Sequence, residues 1–206
     1  DRLAAGGMGE IWRARHVHLQ ELRVIKILRA DRATDPHALQ RFAQEARIAT
    51  QIKHPNVAIL YDFSRLPDGS FYMVSEHIEG EHVHEWLKTN GVFPLPLAVD
   101  LGIQTLRGLE AIHAAGVIHR DISPDNILME ADGRPVLLDF GAARRVIADR
   151  SQNLTAILKP SYAPIEQYAE VSAVRQGPWT DFYALGATLH YMLMGRPPSP
   201  ATARAV

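Results

Sequence analysis

HRDISPDNIL at 119–128, with DFG following at 139–141, decides what this chain becomes. Asp121 and Asn126 stand five residues apart, after a helical run that stops at Gly116 and before a short strand, Ile127–Met129. Asp139 follows a second short strand, Pro135–Leu138. Two carboxylates and an amide on loops at strand ends suit Mg²⁺, a hard cation that takes few protein ligands and fills its shell with phosphate and water oxygens. Taken singly, each is an ordinary turn residue, because Asp and Asn are favoured in turns anyway. Their joint order is what carries information.

Outward from this stretch, the texture divides in two. Pro96–Ala115 sets Leu97, Leu101, Thr105, Leu109 and Ile112 at steps of three or four, which predicts a helix ended by Gly116. Asp132-Gly133 between the two short strands is a hairpin signal. Residues 141–160 are polar and irregular. Trp179–Met194 predicts a helix that is apolar nearly all round, suited to burial on every side, with Gly195 and Pro197-Pro198 ending it. Towards the N-terminus, Glu10–Val17, Glu21–Leu28, Val57–Phe63 and Phe71–His77 read as strands, with Pro67-Asp68-Gly69 as a turn. Between them, Pro36–Lys53 carries a near-3.6 apolar period behind Asp35, a plausible N-cap, and predicts a helix. The expected class is α+β, a strand-rich part followed by a helical part, joined near 77–82.

Composition excludes several alternatives. Apolar residues at 47% and charged residues at 22% are ordinary globular usage, which rules out a disordered or fibrous chain. Lys plus Arg total 22 against 23 Asp plus Glu, so no net basic field points to nucleic acid. Cysteine is absent, which removes disulfides, thiolate metal sites and cysteine nucleophiles. No apolar run reaches the ~18 residues of a membrane span. The chain opens on Asp1 with Gly6 close behind, and reads as a piece of something longer.

Two further features bear on chemistry. Gly6-Gly7-Met8-Gly9 precedes a strand and lets backbone amides approach phosphate oxygens, although glycine-rich hairpins are common. Lys26 sits between Ile25 and Ile27 in an apolar strand, where a buried unpaired ammonium is costly. Glu45 on the following helix is a candidate partner; the bland reading is an edge lysine that snorkels to water.

The ordered set LAAGGMGEIW (3–12), VIK (24–26), Glu45, HPNV (54–57), HRDISPDNIL, DFGAAR (139–144), YAPIEQY (162–168) and DFYALG (181–186) resembles the eukaryotic-type protein kinase domain, and its glycine loop the bacterial Ser/Thr kinases. The resemblance covers essentially the whole chain. It implies a bilobal α+β fold, with an N-lobe at 1–78 whose first strand is incomplete and a helical, incomplete C-lobe at 79–206. It implies ATP and Mg²⁺ as cofactors, with Gly6 and Gly9 over the phosphates. Ile11, Val24 and Leu128 would flank adenine, and the hinge backbone of Glu76 and Ile78 would read its edge. Lys26 would hold phosphates and pair with Glu45, Asp121 would be the base, and Asn126 and Asp139 would ligate metal. Asp181 would anchor the catalytic loop, and Arg120 beside the base would receive a phosphate on the activation segment, with Thr155 its best source.

Departures from the family pattern are equally specific. Ala4 replaces the first loop glycine, Ser75 stands where a bulkier gatekeeper is usual, and Ala49 replaces a larger residue of the regulatory packing column formed with Leu60, His119 and Phe140. The catalytic-loop lysine two residues after the base is Ser123, and the threonine that normally bonds it, counted back from Glu166, is Lys159. An exchange is expected, in which Lys159 reaches Ser123 or Asp121 and supplies the charge; the alternative is a lysine facing solvent or substrate. The resemblance implies a Ser/Thr protein kinase acting on proteins and on itself, at a cytoplasmic location, with any membrane anchor outside this segment. The rival of another class is a pseudokinase that binds nucleotide or serves as a scaffold.

Overall fold

Branched residues at Val24, Ile25 and Ile27 favour extended backbone, and Leu22–Leu28 is a strand, β3, in the computed structural model, which describes residues 1–6, 9–28, 46–138, 159–168 and 176–204. It is central in a five-stranded antiparallel sheet ordered β1-β2-β3-β5-β4, with β1 Arg2–Gly6, β2 Gly9–Arg15, β4 Leu60–Arg65 and β5 Phe71–Glu76. The register sets Lys26 between Ile11 of β2 and Met73 of β5. A slip of one residue would turn its side chain to the other face, so the apolar neighbours Ile25 and Ile27 also fix where the cation points. The Pro67-Asp68-Gly69 turn forms as expected: Asp68 Oδ1 accepts from the Ser70 N–H at 2.8 Å, and Gly69 takes φ +89°.

One strand begins later than its composition suggests. Val57 and Ala58 do not join the sheet; Ala58 N–H donates to Leu137 O and Leu137 N–H to Asn56 O, both at 2.9 Å. Residues 56–58 thus stitch the sheet-bearing part to the second part. Of the helix expected over Pro36–Lys53, residues 46–49 are helical and 29–45 lie outside the described residues.

The second part holds a small sheet, β6 (Glu81–His82), β7 (Ile127–Met129) and β8 (Pro135–Leu137), and the helices α1 (Val83–Asn90), α2 (Leu95–Ala114), α3 (Pro178–Met194) and α4 (Ala201–Arg204). The stripe on α2 is the core stripe: Leu101, Thr105, Leu109 and Ile112 are buried, and the three apolar ones share a core with Val83, Leu87, Leu185 and Met192. Gly116 (φ +76°) and Gly195 (φ +67°) stop α2 and α3 in left-handed backbone, which glycine adopts without strain. Asp181, Leu185 and Thr188 are buried, while Trp179 and Phe182 are 55% and 49% exposed, because among the described residues only one face of α3 is covered.

Close helix packing explains one glycine and gives a test. A Cβ on Gly108 of α2 would sit 2.9 Å from Asn56 O and 3.2 Å from Leu137 Cδ1, atoms of the stitch just described. Gly108→Ala gains ~1 kcal/mol of helix propensity but overpacks backbone, which costs ~1–3 kcal/mol. The net should be a loss near 1 kcal/mol in urea unfolding. Gly186→Ala on α3, where a Cβ meets nothing within 4 Å, should instead gain about as much as the propensity allows.

Candidate active site

The loop after α2 is hung from a buried carboxylate on α3. Asp181, 0% exposed, accepts from His119 N–H at 2.9 Å and His113 Nε2 at 2.7 Å through Oδ2, and from Arg120 N–H at 2.7 Å through Oδ1. These bonds hold Arg120 at φ +66°, a left-handed conformation that a non-glycine residue keeps only under constraint. His119 Nδ1 accepts from Asp121 N–H at 3.3 Å, so Nε2 carries the proton and donates to Leu138 O at 2.9 Å. The loop is therefore tied through one imidazole to Leu138, the residue that follows β8.

Asn126 completes the loop. Its Nδ2 donates to both the carbonyl and Oδ2 of Asp121, each at 2.7 Å. Both bonds leave through nitrogen, so the amide oxygen makes no hydrogen bond among the described residues, and it is the kind of donor a hard cation takes. Pro124–Asn126 forms a single 3₁₀ turn, tied by Asn126 N–H to Ser123 O at 2.9 Å.

Lys159 and Ser123 meet. The Lys159 ammonium donates to Ser123 Oγ at 2.6 Å and to Asp125 Oδ2 at 2.8 Å, and lies 4.0 Å from Asp121 Oδ1. Ser123 is fully buried. Burial alone would raise the Asp125 carboxyl, but the Lys159 hydrogen bond and charge outweigh it, and the carboxyl sits below its ordinary range. Its other oxygen faces His84 Nδ1 at 3.8 Å.

In the five-stranded sheet, Gly6 pairs with Gly9 at the mouth of the β1–β2 hairpin. Ile11 and Val24 are half-buried on β2 and β3, and Leu128 is buried on β7. Glu76 is bound to Ile59 twice: its N–H donates to Ile59 O at 2.8 Å, and its Oε2 accepts from Ile59 N–H at 3.2 Å. A cavity of about 280 Å³ is lined by Glu76 and Ile78 with Val57 and Ile59, and by none of Ile11, Val24 or Leu128. Ser75 pairs with Val24 and Leu60, and Ala49 and Leu60 are buried. Glu45, Asp139, Phe140 and Thr155 lie outside the described residues.

Three contacts escaped the sequence reading. Gln167 Nε2 donates to Arg120 O at 2.8 Å, and Arg120 Nε donates to Gln176 Oε1 at 3.1 Å. Glu166 Oε1 accepts from Thr180 Oγ1 at 2.9 Å at the start of α3. In the sequence Asp125 directly precedes Asn126 and reads as a spacer of the motif. The signal for Asp125 was present: a carboxylate two positions after the missing lysine.

Comparison with known proteins agrees over the whole length. The family model described as the protein kinase domain matches residues 1–205. Serine/threonine-protein kinase PknA of Mycobacterium tuberculosis is 33% identical over 201 residues, which are 95% of this chain and 46% of that protein. PknH of Mycobacterium bovis is 34% identical over 197 residues, 95% of this chain and 32% of that protein. The apo form of PpkA-294 superposes with a TM-score of 0.82 at 32% identity, covering 100% of this chain and 78% of that one. The chain thus spans half or less of the length of these curated relatives.

Proposed function

The chain belongs to the protein kinase family, and we propose that it is an ATP- and Mg²⁺-dependent kinase that phosphorylates Ser and Thr hydroxyls of proteins, itself included. The observation that carries this reading is the double hydrogen bond from Asn126 to Asp121 inside a loop suspended from Asp181. A carboxylate oriented in this way accepts or aligns the proton of an incoming hydroxyl. Residues 1–78 and 79–206 act as the two lobes. Gly6 and Gly9 would lie over the phosphates, Lys26 would bind them and pair with Glu45, and Ile11, Val24 and Leu128 would enclose the adenine beside the hinge at Glu76 and Ile78. Asn126, through its amide oxygen, and Asp139 are the residues that would hold Mg²⁺. When bound, the metal neutralises charge on the transferring phosphoryl group.

Lys159 takes the part of the catalytic-loop cation. Phosphoryl transfer is mostly positioning and charge stabilisation, so a cation near the reacting group is hard to omit, and the 2.6 Å bond to Ser123 supports the exchange. A cytoplasmic location, where ATP is available, goes with this reading; no described helix is long and apolar enough to cross a membrane.

With Mg²⁺ and ATP, the protein should release ADP and gain phosphate on Ser or Thr, with Thr155 a principal site. An Asp139→Asn variant should do neither. A native protein that binds ATP yet transfers no phosphate to itself or to any acceptor would favour the pseudokinase instead.

A further inference from the structure

We infer that Asp125 is a positioning residue that locks the Lys159 ammonium onto Ser123 and keeps it from closing on Asp121, an inference that rests on Asp121 being the hydroxyl-facing carboxylate. Lysine is a point charge on a flexible stem, and it stays in one place only where fixed acceptors hold it. Ser123 gives direction without charge. Asp125 gives the charge, and its backbone lies in the one-turn Pro124–Asn126 helix. The far end of the lysine is fixed too, because its carbonyl accepts from Tyr162 N–H and Ala163 N–H, both at 2.9 Å.

The distances divide the work among the carboxylates. At 2.8 Å from Asp125 and 4.0 Å from Asp121, the ammonium is bonded to the first and only in Coulombic range of the second. A lysine bonded directly to Asp121 would compete with the acceptor hydroxyl for the base. Among the described residues, removing the Asp125 charge leaves Asp121 as the next carboxylate within reach, so the loss should fall on the chemical step rather than on nucleotide binding.

The test uses the intact protein with ATP, Mg²⁺ and myelin basic protein as acceptor. Lys159→Ala should lower kcat ~10²-fold, as for one preorganised charge donor. Asp125→Asn should lower kcat about tenfold, the scale of one charge-assisted bond, with KM for ATP changed less than about twofold. With Ser123→Lys and Lys159→Thr in place, the charge comes from within the loop, and the cost of Asp125→Asn should shrink to about twofold. Equal losses in both backgrounds would mean that Asp125 only supports the fold, and would overturn the inference.

A second readout needs no catalysis. Acetic anhydride should modify native Lys159 several times more slowly than the exposed Lys53, and Asp125→Asn should abolish that protection. Equal labelling of Lys159 in the native protein and in Asp125→Asn would sink the lock. If the native protein transfers no phosphate, the kinase reading fails while the labelling still decides whether Asp125 holds Lys159.

Discussion

Asp181→Ala should cost the fold roughly 3–5 kcal/mol and take phosphoryl transfer with it. Asp181 is fully buried and accepts from His119 N–H, Arg120 N–H and His113 Nε2. Deleting the carboxylate leaves these donors in a site closed to water, and each orphaned buried donor costs ~1–3 kcal/mol. It also removes what keeps Arg120 at φ +66°. With that residue free to relax, the path from His119 to Asp121 changes, and the Asn126 amide no longer meets a fixed carboxylate. Urea unfolding should show the lower midpoint with an unchanged slope. Asp181→Asn should be milder, because one amide oxygen still accepts while the NH₂ must face donors. An alanine variant within about 1 kcal/mol of native would show that the loop is held elsewhere, for instance by Gln167 at Arg120 O.

How much of this was legible depends on the range over which each signal acts. Lys26 was legible locally, because a cation flanked by Ile25 and Ile27 stands out in any apolar strand. Asp121 and Asn126 were legible as a spacing, and the stripe on α2 as a period. The meeting of Lys159 with Ser123 was of another kind. Nothing periodic links residues so far apart, and the expectation came from noticing that two departures from a family pattern are complementary. Gln167, Gln176 and Thr180 carried no such signal, since polar side chains on loops bond to whatever backbone the fold brings near. β6 is two residues long, too short for alternation to register. The late start of β4 has the same origin: Val57 and Ala58 have strand composition, but Leu137 on β8 competes for their backbone.

Lys26→Met should leave the fold standing and lower phosphoryl transfer by at least ~10³-fold, the opposite pattern to Asp181→Ala. β3 is the middle strand of its sheet, paired on both sides, so its backbone does not depend on this side chain. Methionine is also unbranched and fills the same half-buried space between Ile11 and Met73. Lys26 is only half-buried, so water screens the carboxylate that the substitution leaves behind, and the cost is nearer the ~0–1 kcal/mol of an exposed pair than that of a buried one. The midpoint of thermal unfolding should therefore move by only a few degrees. Chemistry has no such compensation. In the proposed mechanism the ammonium is a fixed charge on the phosphates, and a thioether supplies neither charge nor donor. Measuring melting and phosphate transfer on one preparation separates the two effects. Near-normal transfer by a well-folded Lys26→Met protein would reject Lys26 as the phosphate-binding residue, because no other change in that variant offsets the lost cation.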